Sequence, residues 1–278
     1  LLIVSVSKNY AREILSFTSK MFDTNLPWNL DHHRYAVLGV PRSGTQLLEA
    51  FVKYSLTKRY DQVIDLQEIF TAQASLANTL VLENNRINVQ DGSDVKVYDA
   101  MSASKKRLEL IKQADMSQPL TCRVFLDNRM SSISFTDGIK YLQGLDFKFV
   151  YINRPFDHKI LSALFAKESF IFSTYKNTMT LRIDIDELKS FIVARYLIEQ
   201  QHLKVMKSLI SEYHVVEYDT LAAKADCLSD EEKQQAFGIF KVKQLPLDPY
   251  EQVENSDEVK KVFTEFYPKL QELATSLL

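Results

Sequence analysis

Residues Val37 to Thr45 read V-L-G-V-P-R-S-G-T, and Gln46 to Ser55 continue as an amphipathic helix. An apolar strand runs into a tight turn, and the turn opens the helix. Such a junction aims several backbone N–H groups and the positive end of the helix dipole at one point, which makes an anion site. Gly44 removes the Cβ that would hold a phosphate away from the backbone. Ser43 and Thr45 add hydroxyl donors, and Arg42 adds a fixed cation able to grip two anionic oxygens at once.

Outward from this junction, Tyr35 to Val40 reads as a buried strand, and the following helix places Leu47, Leu48, Phe51, Val52 and Leu56 on one face. Further strands are expected at Val63–Leu66, Val95–Tyr98, Thr121–Leu126, Phe147–Ile152 and Tyr213–Tyr218. Helices are expected at Asn9–Phe22, Lys105–Ala114, Asp157–Ser169 and Ile185–Glu212, the last opened by Asp184 and Glu187 as a capping box. Ser256 caps a final helix that Pro268 should kink or split. Strands with near-continuous apolar runs, separated by helices, predict an α/β fold of three layers: a mainly parallel sheet covered on both faces. In open sheets of that kind, ligands collect at the carboxyl ends of the strands. The Pro41–Thr45 loop and the residues after Ile152 lie at such ends.

A length of 278 residues fits one domain spanning 1–278, with 70–116 as a less regular insertion. The apolar fraction of 46% is ample for a core, and a net charge of -2 argues against a nucleic-acid partner. Two cysteines, Cys122 and Cys227, cannot build a disulfide framework, so a reducing, cytoplasmic setting is the default. The Golgi lumen is the alternative if an N-terminal anchor was removed. The five histidines show no metal-ligand spacing, so no metal is expected. Leu1–Val6 is apolar but too short to span a membrane, and no span is expected in the chain.

The junction is not a Walker A loop, because no Lys follows Gly44 and the first Gly is missing at the required spacing. P-R-S-G-T after a strand resembles instead the 5′-phosphosulfate loop of the sulfotransferases, which move a sulfuryl group from 3′-phosphoadenosine 5′-phosphosulfate (PAPS) to an acceptor hydroxyl. Tyr151 to Ser162, Y-I-N-R-P-F-D-H-K-I-L-S, is similar to the family segment that binds the donor's 3′-phosphate. There an Arg ends a strand and a Ser follows eight residues later, as Arg154 and Ser162 do. Pro155 follows Arg154 at once, where the family usually has Pro two residues on. His214 to Leu221, H-V-V-E-Y-D-T-L, resembles a late family strand ending in an acidic-aromatic turn that is mainly structural.

The resemblance is closer to the carbohydrate and tyrosyl-protein branches and their bacterial relatives than to the phenol and steroid branch. It implies a P-loop-like fold and a donor site made of Pro41, Arg42, Ser43, Gly44, Thr45, Gln46, Arg154 and Ser162. It implies PAPS as donor, 3′,5′-ADP as product, and no metal. It implies Glu68, at the end of the second strand, as the base that takes the acceptor's proton, with Glu49, Asp99, Asp127 and His158 as competitors. Arg42 would stabilise the leaving phosphate, and Arg123 would reach the sulfuryl group as a strand cation. The acceptor would be a carbohydrate or, second, a tyrosyl or phenolic hydroxyl, bound by 70–116 and 170–184. Two other readings stand beside this one: a P-loop-type small-molecule kinase, and a non-catalytic nucleotide- or glycan-binding protein of the same fold.

Overall fold

The structure is a computed structural model that describes residues 30–70, 80–83, 86–89, 112, 117–125, 134–169, 180–232 and 248–277. The helix expected at Asn9–Phe22 and the strand at Val95–Tyr98 lie outside these residues. So does the helix at Lys105–Ala114, apart from Lys112. The residues from His32 onward belong to one compact unit.

Strand β1 (Arg34–Gly39) leads through the junction into helix α1 (Thr45–Thr57) and then β2 (Ile64–Glu68). A short antiparallel pair follows, β3 (Leu80–Glu83) and β4 (Arg86–Val89). The chain continues through β5 (Leu120–Phe125), α2 (Phe135–Gly144), β6 (Lys148–Asn153), α3 (Phe156–Ser169), α4 (Ile185–Leu209), β7 (Tyr213–Glu217) and α5 (Tyr218–Asp226). A short helical turn at Pro249–Gln252 precedes α6 (Ser256–Lys261) and α7 (Tyr267–Leu277). Pro268 does not end the last helix. The preceding turn, Val262–Phe266, widens to π geometry. That widening accommodates a ring which would otherwise meet the carbonyl one turn back.

The main sheet has five strands in the order β2-β5-β1-β6-β7, and every neighbouring pair is parallel. The α/β expectation therefore holds at the level of a parallel sheet flanked by helices. β1 is central and all six of its residues are buried, whereas the edge strand β7 exposes three of its five. One face of the sheet packs Ala36, Leu38, Leu120, Cys122, Val124, Phe149 and Tyr151 against α2 and the end of α4. Helix α1 lies against β1 and β5 with Leu48, Val52 and Leu56 buried. Each such side chain contributes on the order of 1.5–3 kcal/mol by leaving water. A second core joins Leu161 and Phe165 of α3, Leu188 and Ile192 of α4, and the C-terminal segment through Val259 and Phe263.

Helix starts follow local chemistry. The Asp184 carboxylate accepts from the Asp186 and Glu187 amides at 3.0 and 2.8 Å, as the sequence expects. Ser134 caps α2 by accepting from the Asp137 amide at 3.1 Å. Among the described residues no helix is long and apolar enough to cross a membrane.

Candidate anion site

The Val40–Gly44 loop turns tightly at the carboxyl end of β1. The Ser43 amide donates to the Val40 carbonyl at 3.1 Å. Two of its residues lie in the left-handed region: Arg42 at φ 74° and Gly44 at φ 96°. The second suits glycine; the first is uncommon for a residue with a side chain. α1 starts with no side-chain cap and no acidic residue in its first turn. Its leading N–H groups therefore face the loop mouth with the positive end of the helix dipole behind them.

The glycines have a tighter reason than room for a ligand. A Cβ on Gly39 would fall 2.5 Å from Ser43 Oγ and 2.6 Å from Thr45 Cγ2. A Cβ on Gly44 would fall 2.4 Å from Cδ2 of Tyr218. The Ser43 hydroxyl is not presented at the mouth: the residue is fully buried, and Oγ donates to the Val40 carbonyl at 2.8 Å. Ser43 thus holds the loop's shape. Thr45 is also buried, whereas Pro41 is half-buried and Gln46 exposed in the first turn of α1.

β6 lies next to β1, so its carboxyl end delivers Arg154 and α3 to the same place. Arg42 Nε donates to Ser162 Oγ at 3.1 Å, and an Arg154 terminal nitrogen donates to the Arg42 carbonyl at 2.9 Å. Two segments more than a hundred residues apart are joined by these bonds. Asn153 points elsewhere: its amide donates to both carboxylate oxygens of Glu217, at 3.1 and 3.0 Å. Arg154 is therefore the strand-end residue that meets the loop, despite the early Pro155. Burial and, next, the like charge of Arg154 lower the pKa of the Arg42 guanidinium. Burial lowers that of Arg154 as well, against the opposing fields of Tyr218, Asp219 and Asp157. Both stay cationic at any ordinary pH, and two half-buried guanidiniums side by side favour an anion between or beside them.

Tyr218, at the start of α5, was read from sequence as structural and is in the site. The Arg154 guanidinium carbon sits 4.2 Å from the centre of its ring. An aromatic residue at the carboxyl end of a strand was the available signal.

A second charged cluster lies along α1, β5 and β2. Register pairs Arg123 with Val37 on one side and Glu68 on the other. Arg123 is 7% exposed; its Nε lies 2.6 Å from Glu49 Oε2, and a terminal nitrogen lies 3.5 Å from Glu68 Oε1. The structure thus turns Arg123 inward onto two carboxylates, whereas the sequence reading had it reaching toward a bound sulfuryl group. Glu68 keeps 26% of its side chain exposed, and Glu49 keeps 7%. Burial pushes the Glu49 carboxyl well above its usual range, and Asp65 adds to the rise, while Arg123 and Lys53 oppose it. Lys53 holds Asp65 at 3.2 Å.

Of the other candidate bases, Asp99 and Asp127 lie outside the described residues. His158 packs edge-on against the Tyr250 ring, 6.3 Å between centroids, and its Nδ1 is buried. Among the described residues no three His, Cys, Asp or Glu side chains converge as metal ligands would. In comparisons with known proteins, no protein-family model matches this chain and no curated protein matches it.

Proposed function

We propose that the protein is a sulfotransferase that moves a sulfuryl group from PAPS to an acceptor hydroxyl. The observation that supports this most is the meeting of Arg42, Arg154 and Ser162 at the neighbouring ends of β1 and β6. A nucleotide with phosphates at both 5′ and 3′ positions needs two cationic contacts at one strand-end crevice. The crevice here offers an uncapped helix start with Arg42 for one, and Arg154 with Ser162 for the other.

In this reading Arg42 and the first N–H groups of α1 hold the 5′-phosphosulfate. They stabilise the charge that grows on the departing phosphate. Sulfuryl transfer is treated like phosphoryl transfer, a loose in-line displacement that depends chiefly on positioning. The acceptor oxygen bonds to sulfur as the bond from sulfur to the phosphate oxygen breaks, and the acceptor's proton passes to a base. Of the two carboxylates on Arg123, Glu68 has the more exposed side chain, so we assign that proton to it. Arg123 orients Glu68. The acceptor is a carbohydrate hydroxyl by the same resemblance, with a phenolic hydroxyl second.

A thermal-shift titration with 3′,5′-ADP beside 5′-ADP and ATP·Mg²⁺ tests the donor. A ligand that binds only the folded state at a hundred times its Kd adds about 2.7 kcal/mol of stability. Selective stabilisation by 3′,5′-ADP that disappears in Arg42→Ala is the expected result. A larger shift with ATP·Mg²⁺ would move the assignment to a kinase.

A further inference from the structure

Tyr218 occupies a particular place between the two halves of the anion site. It follows β7 directly, beside the strand whose end carries Arg154. One edge of its ring lies on the Gly44 backbone, so closely that a Cβ there would fall 2.4 Å from Cδ2 and 2.6 Å from Cε2. The ring face carries the Arg154 guanidinium at 4.2 Å. Tyr218 is 6% exposed, and burial raises the pKa of its phenol. The ring is therefore a wedge that fixes the distance between the loop backbone and Arg154.

Stacking occupies the flat face of a guanidinium and leaves its in-plane N–H donors for oxygen acceptors. One of those donors holds the Arg42 carbonyl at 2.9 Å. Asp157 and Asp219 act on Arg154 through their fields. The orientation of its remaining donors is thus set by an aromatic plane, and among the described residues no carboxylate forms an ion pair with Arg154 within 4.0 Å.

We propose that Tyr218 is a positioning residue of the anion site: it aims Arg154 and so sets the preference for a nucleotide with a second, 3′-placed phosphate. The proposal rests on the donor assignment above and adds a specificity-determining residue to it.

Calorimetric affinities for 3′,5′-ADP and 5′-ADP test it in wild type, Tyr218→Phe, Tyr218→Leu, Arg154→Ala and the Leu–Ala double variant. Tyr218→Phe should keep the wild-type preference, because the ring face remains. Tyr218→Leu should lose about tenfold of that preference, equivalent to ~1.4 kcal/mol, and should lose nothing further once Arg154 is Ala. Tyr218→Met replaces it if the Leu variant does not fold. The proposal is overturned if both nucleotides weaken equally, if the preference survives loss of the ring, or if the two substitutions simply add. A wild type with no preference for 3′,5′-ADP would remove the donor assignment instead. The same variants titrated with inorganic pyrophosphate then decide the positioning role: coupling between Tyr218 and Arg154 keeps it, and additivity ends it.

Discussion

Arg42 and Gly44 take left-handed backbone conformations two residues apart, for different reasons. Gly44 does so at no steric cost and under the Tyr218 ring. Gly44→Ala would therefore combine a strained φ with a 2.4 Å clash, and should lower the unfolding free energy by about 1–3 kcal/mol, seen as a drop in melting temperature of the free protein. Arg42 is held in its conformation partly by the bond from Arg154 to its carbonyl. Replacing it by Gly relieves the backbone, and replacing it by Ala does not. Arg42→Gly should thus unfold at higher denaturant than Arg42→Ala, while both lose 3′,5′-ADP binding; equal midpoints would mean the loop relaxes without its side chain. Residue types in this loop were legible in the sequence, as a turn with a cation and hydroxyls. The direction of each group was not. Whether Ser43 faces a ligand or the Val40 carbonyl depends on a turn geometry that the residue types permit but do not impose.

At the scale of elements, charge inside the protein is the informative feature. Glu49 on α1 pairs with Arg123 of β5, which also meets Glu68 of β2, and Glu49 feels the charges of Asp65 on β2 and of Lys53 one turn further along α1. Its carboxyl is raised above an ordinary 4.5, so the folded state favours the protonated form. That stabilisation is fully present below about 4.5 and is lost as pH rises through the folded value. Gln cannot titrate. The stability of Glu49→Gln relative to wild type should therefore increase with pH above about 4.5, measured by urea unfolding across a pH series; a pH-independent difference would contradict it. Between α3 and α4, the Lys159 ammonium and Glu199 carboxylate form a buried pair. Lys159→Met leaves Glu199 without its cation in the interior and should cost about 3–5 kcal/mol, read from the same unfolding curves. Such pairs escaped the sequence reading because they depend on register. Arg123 and Glu68 each look like ordinary strand-end charges until β2 and β5 are laid side by side. The strands themselves were legible, since a run such as F-K-F-V-Y-I needs both faces covered. The second strand runs to Glu68, where the apolar run suggested an end at Leu66.

For the molecule as a whole, the central position of β1 links the elements to the site. β5 and β6 flank it, and every strand of the sheet runs the same way, so the loops after β1 and β6 open at one end. Neighbouring strands lie about 4.8 Å apart, which brings a loop at residue 42 within reach of a helix starting at residue 156. The complete burial of β1 marks a central strand, and the mixed pattern of β7 marks an edge. Strand order could not be read that way, because it is decided by long-range packing of the connecting helices. In the proposed function the two strand-end segments form one site for a nucleotide phosphorylated at both ends of its ribose. A crystal structure with 3′,5′-ADP tests this most directly. The expected result is the 5′-phosphate over the Pro41–Gln46 turn beside Arg42 and the 3′-phosphate against Arg154 and Ser162, with the Arg154 guanidinium still stacked on Tyr218. A nucleotide bound away from these residues, or one with neither phosphate on Arg42 or Arg154, would contradict it.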